Sequence, residues 1–486
     1  MSGYEEQDAG AQQQTAQPDG KQDRPAQSTS PFMLGFIGTN AIGCRGVDQP
    51  GSDPSLKMML QTSGQPVLAI GSAQSAPPAA RLFVFLAQRN QYSWGAPSIR
   101  RETAMTLTCQ RHLFDLPREI CYLNAAYLGP VPRPILEAGE RGLLRRARPW
   151  EIRPEDFFEP AEAARRLIGE LINAPTDRIA LVPSVANAIA VVARNVPIRP
   201  RQRIVTLAEQ FPSNVYSWRG LAARGARIEV VDAPAGAQRA RRWNERLLSS
   251  IGPDTALVAI ETAHWTDGTL FDLGAVGRRC REVGAWFVVD ATQTIGIEPL
   301  DAGAVHADAL IAHPYKSLLA GYGLGFAYFG DRLADGSPLE ESWMMRRGSE
   351  DFSRLIDYQD GYAPGVRRYD AGARANTSLI AMLTAALELS RQWQAPQVRR
   401  YCAEMSARLI ECARSAGYEV PADGEHAANL FGIRPPRGTN LDALRGALQV
   451  ARVHVSVRGD AMRVAPHVYN DDLDVHRFAE AIGGVV

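Results

Sequence analysis

Lysine is almost missing from this 486-residue chain: only Lys21, Lys57 and Lys316 occur, and basic charge elsewhere falls to arginine. Net charge is missing too, because Lys plus Arg and Asp plus Glu both number 53, so no global field recruits nucleic acid or an anionic membrane. The six cysteines, Cys44, Cys109, Cys121, Cys280, Cys402 and Cys412, form no CxxC pair. That spacing excludes a disulfide scaffold and a thiolate metal site, and a reducing cytoplasm is the expected compartment. His306 and His313 flank a predicted strand at an odd spacing that turns them to opposite faces, with no third ligand nearby, so no metal is expected. No run approaches the roughly 18 apolar residues of a membrane span, and the acidic start MSGYEEQDAG has no basic region followed by an apolar stretch. Neither nucleic acid nor membrane is an expected partner.

What is present is a hydrophobic fraction of 45%, enough for a large core and more than one domain. Residues 1–104 are unlike the rest. The stretch AQQQTAQPDGKQDRPAQSTSP is rich in Gln, Ala, Ser and Pro and cannot bury enough surface to offset its ordering entropy. Two readings stand: a disordered extension, or a start at Met105 with the preceding residues outside the mature chain. Beyond it, residues 105–159 are expected to serve the small domain and the site entrance, 160–375 to form a large domain, and 376–486 a smaller one.

Two apolar runs organise the large domain. Trp286 to Val289 is continuous and rich in aromatic and β-branched residues, as suits a parallel strand buried on both faces, and it delivers Asp290 at its C-terminal end. Ala307 to Ala312 is the next strand, and HPYK follows, with Pro314 stopping regular structure just before Lys316. Open parallel sheets bind ligands outside the C-terminal ends of their strands. An acid and a lysine facing one crevice there suit pyridoxal phosphate, whose aldehyde condenses with a lysine and whose ring nitrogen pairs with a carboxylate. Strands are also predicted at Ile179 to Val182, Arg203 to Leu207 and Thr255 to Ile260. Helices are predicted at Arg133 to Arg148, Pro160 to Ile172, from Ala188, Leu379 to Trp393 and Gln397 to Gly417, and a hairpin closes the chain around Gly459-Asp460.

The segments DATQ (Asp290 to Gln293) and YKSLLAGYGLGF (Tyr315 to Phe326) resemble those of the class V aminotransferases of fold type I, a family that includes cysteine desulfurases, kynureninases and isopenicillin-N-epimerase-like enzymes. The resemblance runs from about Cys121 to the C-terminus. It implies an α/β fold, with a mostly parallel sheet in the large domain, a smaller α+β domain, and a homodimer completed by loops from both subunits. It makes Lys316 the Schiff-base lysine, Asp290 the pyridinium partner, Gln293 the donor to the cofactor's phenolic oxygen and Tyr315 a phosphate ligand. The turn after Ile179 to Val182 becomes the phosphate cup, gripping through the backbone at Val185 and Ala186. Phe211 takes the stacking role on the ring, with Asn214 nearby, while His264, Trp265 and Thr266 are candidates for the floor. Asn124 lies in the entrance loop CYLNAAYLGPVP on the substrate side. Arg463 is the expected ligand of an amino-acid substrate's α-carboxylate, with Arg458 as runner-up; on one uninterrupted strand their odd spacing sends only one into the cleft. In the junction RRYDAGARAN, Ala373 stands where many relatives have a Thr that reaches the partner's phosphate.

The reaction stays open among transamination, C–S lysis and epimerisation. A desulfurase is disfavoured, because RGDAM at Arg458 to Met462 replaces the expected cysteine loop. GYGLG at Gly321 to Gly325 resembles half a dinucleotide fingerprint, yet a strand pattern follows it where a helix is required, so an NAD-dependent dehydrogenase is the weaker alternative. A non-catalytic protein that merely holds the cofactor is the other.

Overall fold

The computed structural model describes residues 107–484, Ala237 and Gly459 apart. The predicted extension, residues 1–104, lies outside them. Among the described residues the strands, in chain order, are β1 (Cys121–Tyr122), β2 (Ile179–Val182), β3 (Arg203–Leu207), β4 (Arg227–Val231), β5 (Thr255–Glu261), β6 (Trp286–Asp290), β7 (Ala309–Ala312), β8 (Gly325–Phe329), β9 (Phe431–Ile433), β10 (Val453–His454), β11 (Ser456–Arg458) and β12 (Ala461–Val464).

Seven of these make one sheet in the order β2-β8-β7-β6-β5-β3-β4. Neighbours from β4 through β7 pair in parallel, whereas β8 runs antiparallel to both β7 and β2. The continuous apolar runs have a direct cause, because helices cover both faces and alternate residues of each strand enter different cores. Phe287, Val289 and Leu310 pack with the helices Glu159–Ile172, Arg239–Ser250 and Leu273–Val283. Trp286, Val288 and Ile311 pack on the other face with the helix Val185–Asn195.

A second, antiparallel sheet in the order β11-β12-β9 has its own core, in which Phe431, Ile433, Met462 and Val464 meet Leu409, Leu444 and Phe478 from three helices. Those helices are Ala395–Ser415, Leu441–Val450 and Asp472–Gly483. Cys121 and Leu123 join that core. The helix Thr377–Trp393, expected to open the smaller domain, instead puts Ile380, Leu383 and Leu387 into the core of the large sheet. Its apolar stripe fits that surface, whatever its place in the chain order. The segment GYGLG leads into strand β8 rather than a helix, which removes the geometry a dinucleotide site needs.

Candidate active site

The sheet fixes the site because its parallel strands end together. In the β5–β6 ladder Glu261 is in register with Asp290. Registered neighbours on adjacent strands face the same way, so both carboxylates project from one face at the strand ends. Between them and the turn after β7 lies a cavity that opens in part to solvent. Asp290, Gln293, Phe211, Trp265, Val185, Ala186, Tyr315 and Lys316 line it, bringing together eight of the residues expected from sequence.

Lys316 is held by its surroundings. Its turn is anchored where Ser317 Oγ donates to the Ile295 carbonyl at 2.7 Å. The entrance loop docks on the same turn, with Gly129 N–H donating to the Tyr315 carbonyl at 3.0 Å. A Cβ at Gly129 would run into the Lys316 carbonyl, which is why a glycine stands there. The Lys316 ammonium nitrogen lies 5.3 Å from the Phe211 ring centre and 5.4 Å from that of Tyr315. Burial brings the amine down to about 8; the negative charge of Asp290 opposes that fall and the Arg463 guanidinium adds to it. Asp290 accepts from Thr292 N–H at 3.0 Å, and burial raises its carboxyl despite that bond and the nearby Lys316.

The polar groups left over describe a ligand. Both amide atoms of Gln293 are buried without a partner, as is Nδ1 of His313. Ser184 caps the helix Val185–Asn195 by accepting from Asn187 N–H, leaving the amides of Val185 and Ala186 at the cavity wall for an anion. An acid, a lysine, an unpartnered amide and a helix N-terminus in one cavity fit pyridoxal phosphate.

Not every expectation converges here. His264 is absent from the cavity wall: its ring packs 4.8 Å from Trp243, with Nδ1 bonded to Thr266 Oγ1 at 2.7 Å and Nε2 to the Ala208 carbonyl at 3.1 Å. Burial holds it neutral, down to about 4, so it is a core residue along with Thr266. Asn214 is also turned away, accepting from the Trp218 indole at 2.9 Å, and its neighbour Ser213 lines the cavity instead. Asn124 accepts from Ser456 Oγ at 2.8 Å, tying the entrance loop to the hairpin. Arg374 is buried, with its Nε 3.1 Å from Asp370.

Arg463 is 1% exposed, with Nη1 donating to the Trp265 carbonyl at 2.9 Å. Its Nε and Nη2 are buried without partners. Burial, with repulsion from Arg458, brings it down to about 10. The parity argument required one uninterrupted strand and does not apply: β11 and β12 are separate strands that pair Ser456 with Arg463 and Arg458 with Ala461, so both arginines share a face.

Sequence reasoning missed Glu261, His313 and Tyr322 on the cavity wall. Glu261 accepts Trp265 N–H at 2.6 Å and Phe211 N–H at 3.3 Å, fixing both aromatic walls. Burial first, then the charge of Asp290, raises its carboxyl well above the usual range. Its signal was available, since TALVAIE ends a buried strand with an acid just as WFVVD does.

The model of the aminotransferase class-V family matches residues 151–469. The chain is 27% identical to the uncharacterized aminotransferase YcbU of Bacillus subtilis over 71% of this chain and 88% of that protein. It is 25% identical to the isopenicillin N epimerase of Amycolatopsis lactamdurans over 76% and 96% of the two chains. Among solved structures, the cystine C-S lyase C-DES with its product cysteine persulfide has a similar fold, at a TM-score of 0.67 and 19% identity, covering 75% of this chain and 98% of that one.

Proposed function

We propose that this chain, which belongs to the aminotransferase class-V family of pyridoxal phosphate enzymes, acts on an amino acid by transamination, with C–S lysis or epimerisation as the related alternatives. The observation that carries the reading is the buried pairing of Asp290 and Lys316 beside the unpartnered Gln293 amide. When bound, the cofactor supplies an aldehyde for an amine and a ring that accepts the electron pair released at the substrate's α-carbon.

The chain's residues divide the remaining work. Asp290 holds a proton on the ring nitrogen, because a carboxylate within a few ångströms favours the charged ring. Lys316, brought down to about 8, carries far more neutral amine near physiological pH than an ordinary lysine, and the neutral amine is the form that attacks an aldehyde or takes a proton. Gln293, whose amide is buried without a partner, would donate to the phenolic oxygen. The amides of Val185 and Ala186 would hold the phosphate, with His313 and Tyr315 beside them on the cavity wall. Phe211 and Trp265, edge to face at 5.4 Å, wall the site against water. The free Nε and Nη2 of Arg463 suit a two-pronged grip on the α-carboxylate.

Transamination stands first because the matching family model is that of the class-V aminotransferases, and the uncharacterized aminotransferase YcbU of Bacillus subtilis is among the relatives. A desulfurase is disfavoured: none of the cysteines among the described residues lines the cavity, and burial pushes the thiols of Cys121 and Cys402 up, away from the reactive thiolate. The decisive experiment incubates the cofactor-loaded protein with a panel of amino acids and assays keto acid, opposite enantiomer and released sulfide. Keto acid formation supports the proposal, and silence with every amino acid overturns it. Borohydride should fix the cofactor on the peptide carrying Lys316 and leave none fixed in Lys316→Ala. Fixation in that variant removes Lys316 from its role.

A further inference from the structure

Two arginines approach the ring of Trp265, a residue of the cavity wall, with no acidic partner among the described residues. The Cζ of Arg458 lies 5.7 Å from the Trp265 ring centre and that of Arg463 lies 5.9 Å from it. Among the described residues neither forms an ion pair, although most arginines of this chain's interior do. Arg458 donates only to the Val457 carbonyl. The acid of the intervening turn, Asp460, is already held by Arg434 at 3.0 Å.

The arrangement is built rather than incidental. The two-residue turn sets Arg458 opposite Ala461, and the pleat returns Arg463 to that same face. Trp265 is fixed through its backbone N–H to Glu261, its carbonyl to Arg463 and its indole N–H to the Glu209 carbonyl at 2.6 Å. Two cations against one ring repel each other, and Arg463 adds unpartnered buried donors; such a pair is complemented by an anion at each guanidinium.

Resting on the reading of an amino-acid enzyme, the geometry points to a substrate with two carboxylates: Arg463 takes the α-carboxylate and Arg458 a second carboxylate at the end of the side chain. Arg458 is therefore the residue that selects acidic amino acids over their neutral isosteres. An uncharged side chain leaves its guanidinium without a partner, whereas an acidic one replaces water with a charge-assisted, forked contact.

The test titrates the cofactor-loaded protein with L-aspartate, L-glutamate, L-asparagine and L-glutamine, reading the concentration that gives half the change in cofactor absorbance. At least one acid should half-saturate at a concentration roughly ten- to a hundredfold below its amide, the range expected for one charge-assisted contact. Arg458→Gln should erase that preference while leaving the amides' values in place, and Arg458→Lys should restore part of it. Arg463→Gln should weaken all four ligands. Equal binding of acids and amides to the parent protein overturns the inference and leaves the amino-acid reading standing. So does an Arg458→Gln variant that weakens acids and amides alike, which assigns both arginines to the α-carboxylate. No response to these four or to any neutral amino acid overturns the underlying reading, and the inference with it.

Discussion

Lys316 is the residue on which the chemistry turns, and the scarcity of lysine makes it measurable. Lys21 and Lys57 both precede the described residues, so an amine reagent read by peptide mass spectrometry reports on Lys316 without interference. In the cofactor-free protein its labelling should rise with pH through a midpoint of about 8, against 10.5 for an ordinary lysine. The negative charge of Asp290 favours the ammonium form, so Asp290→Asn should move that midpoint lower. A midpoint at the ordinary lysine value, or one that rises in Asp290→Asn, rejects the electrostatic pairing. Asp290→Asn should also keep the cofactor while losing most turnover, because the asparagine cannot supply the charge that holds the ring proton.

At the scale of elements, the joint between the hairpin and the lysine turn is made by His467. Its Nε2 bonds to the Ser317 carbonyl at 2.9 Å, and its Nδ1 accepts from Val468 N–H at 2.9 Å. These partners demand the neutral ring, because a second ring proton would meet the Val468 N–H. Burial accordingly brings His467 down to about 4 from 6.5. A histidine depressed in the folded state contributes stability that is complete above 6.5 and is lost as pH falls toward 4. The loss amounts to at most ~3 kcal/mol. His467→Gln should therefore cost stability at neutral pH and narrow its gap to the parent on acidification, as read by urea midpoints at pH near 7 and near 4.5. Parallel pH profiles of parent and variant count against the assignment.

At the scale of the whole molecule, the helix Arg133–Arg145 packs inward through Ile135 and Ala138 and shows solvent Leu136, Leu143 and Leu144, the last two at 65% and 67% exposure. Residues seven and eight apart lie along one helix face, so these leucines form an apolar stripe without a partner among the described residues. We expect a second copy to cover it. Sedimentation should give twice the chain mass, and Leu143→Glu with Leu144→Glu should shift it toward the monomer. A parent protein that is monomeric and fully active refutes the dimer. In the junction Arg367 to Asn376, Arg367, Arg368 and Arg374 each pair with an acid of their own subunit: Glu162, Asp335 and Asp370.

Most of the large sheet was legible in the sequence, because a strand buried on both faces must be apolar throughout and must end where polarity returns. The runs at Ile179–Val182 and Arg203–Leu207 carry their bounds in plain view, and Asp290 and Lys316 stand at the ends of such runs. Strand β4 went unread because its burial is only partial and its sequence mixes charge with valine, as an edge strand allows. Tertiary structure alone decided the rest. Whether an aromatic or a histidine at a strand end faces ligand or core depends on its partners: Phe211 lines the cavity, whereas His264 finds Thr266, Ala208 and Trp243 and stays in the core. The pairing of Glu261 with Asp290 required the register of β5 against β6, and the shared face of Arg458 and Arg463 required the pairing of β11 with β12. Register between strands is set by contacts far apart in the chain, so the periodicity of a single segment cannot contain it.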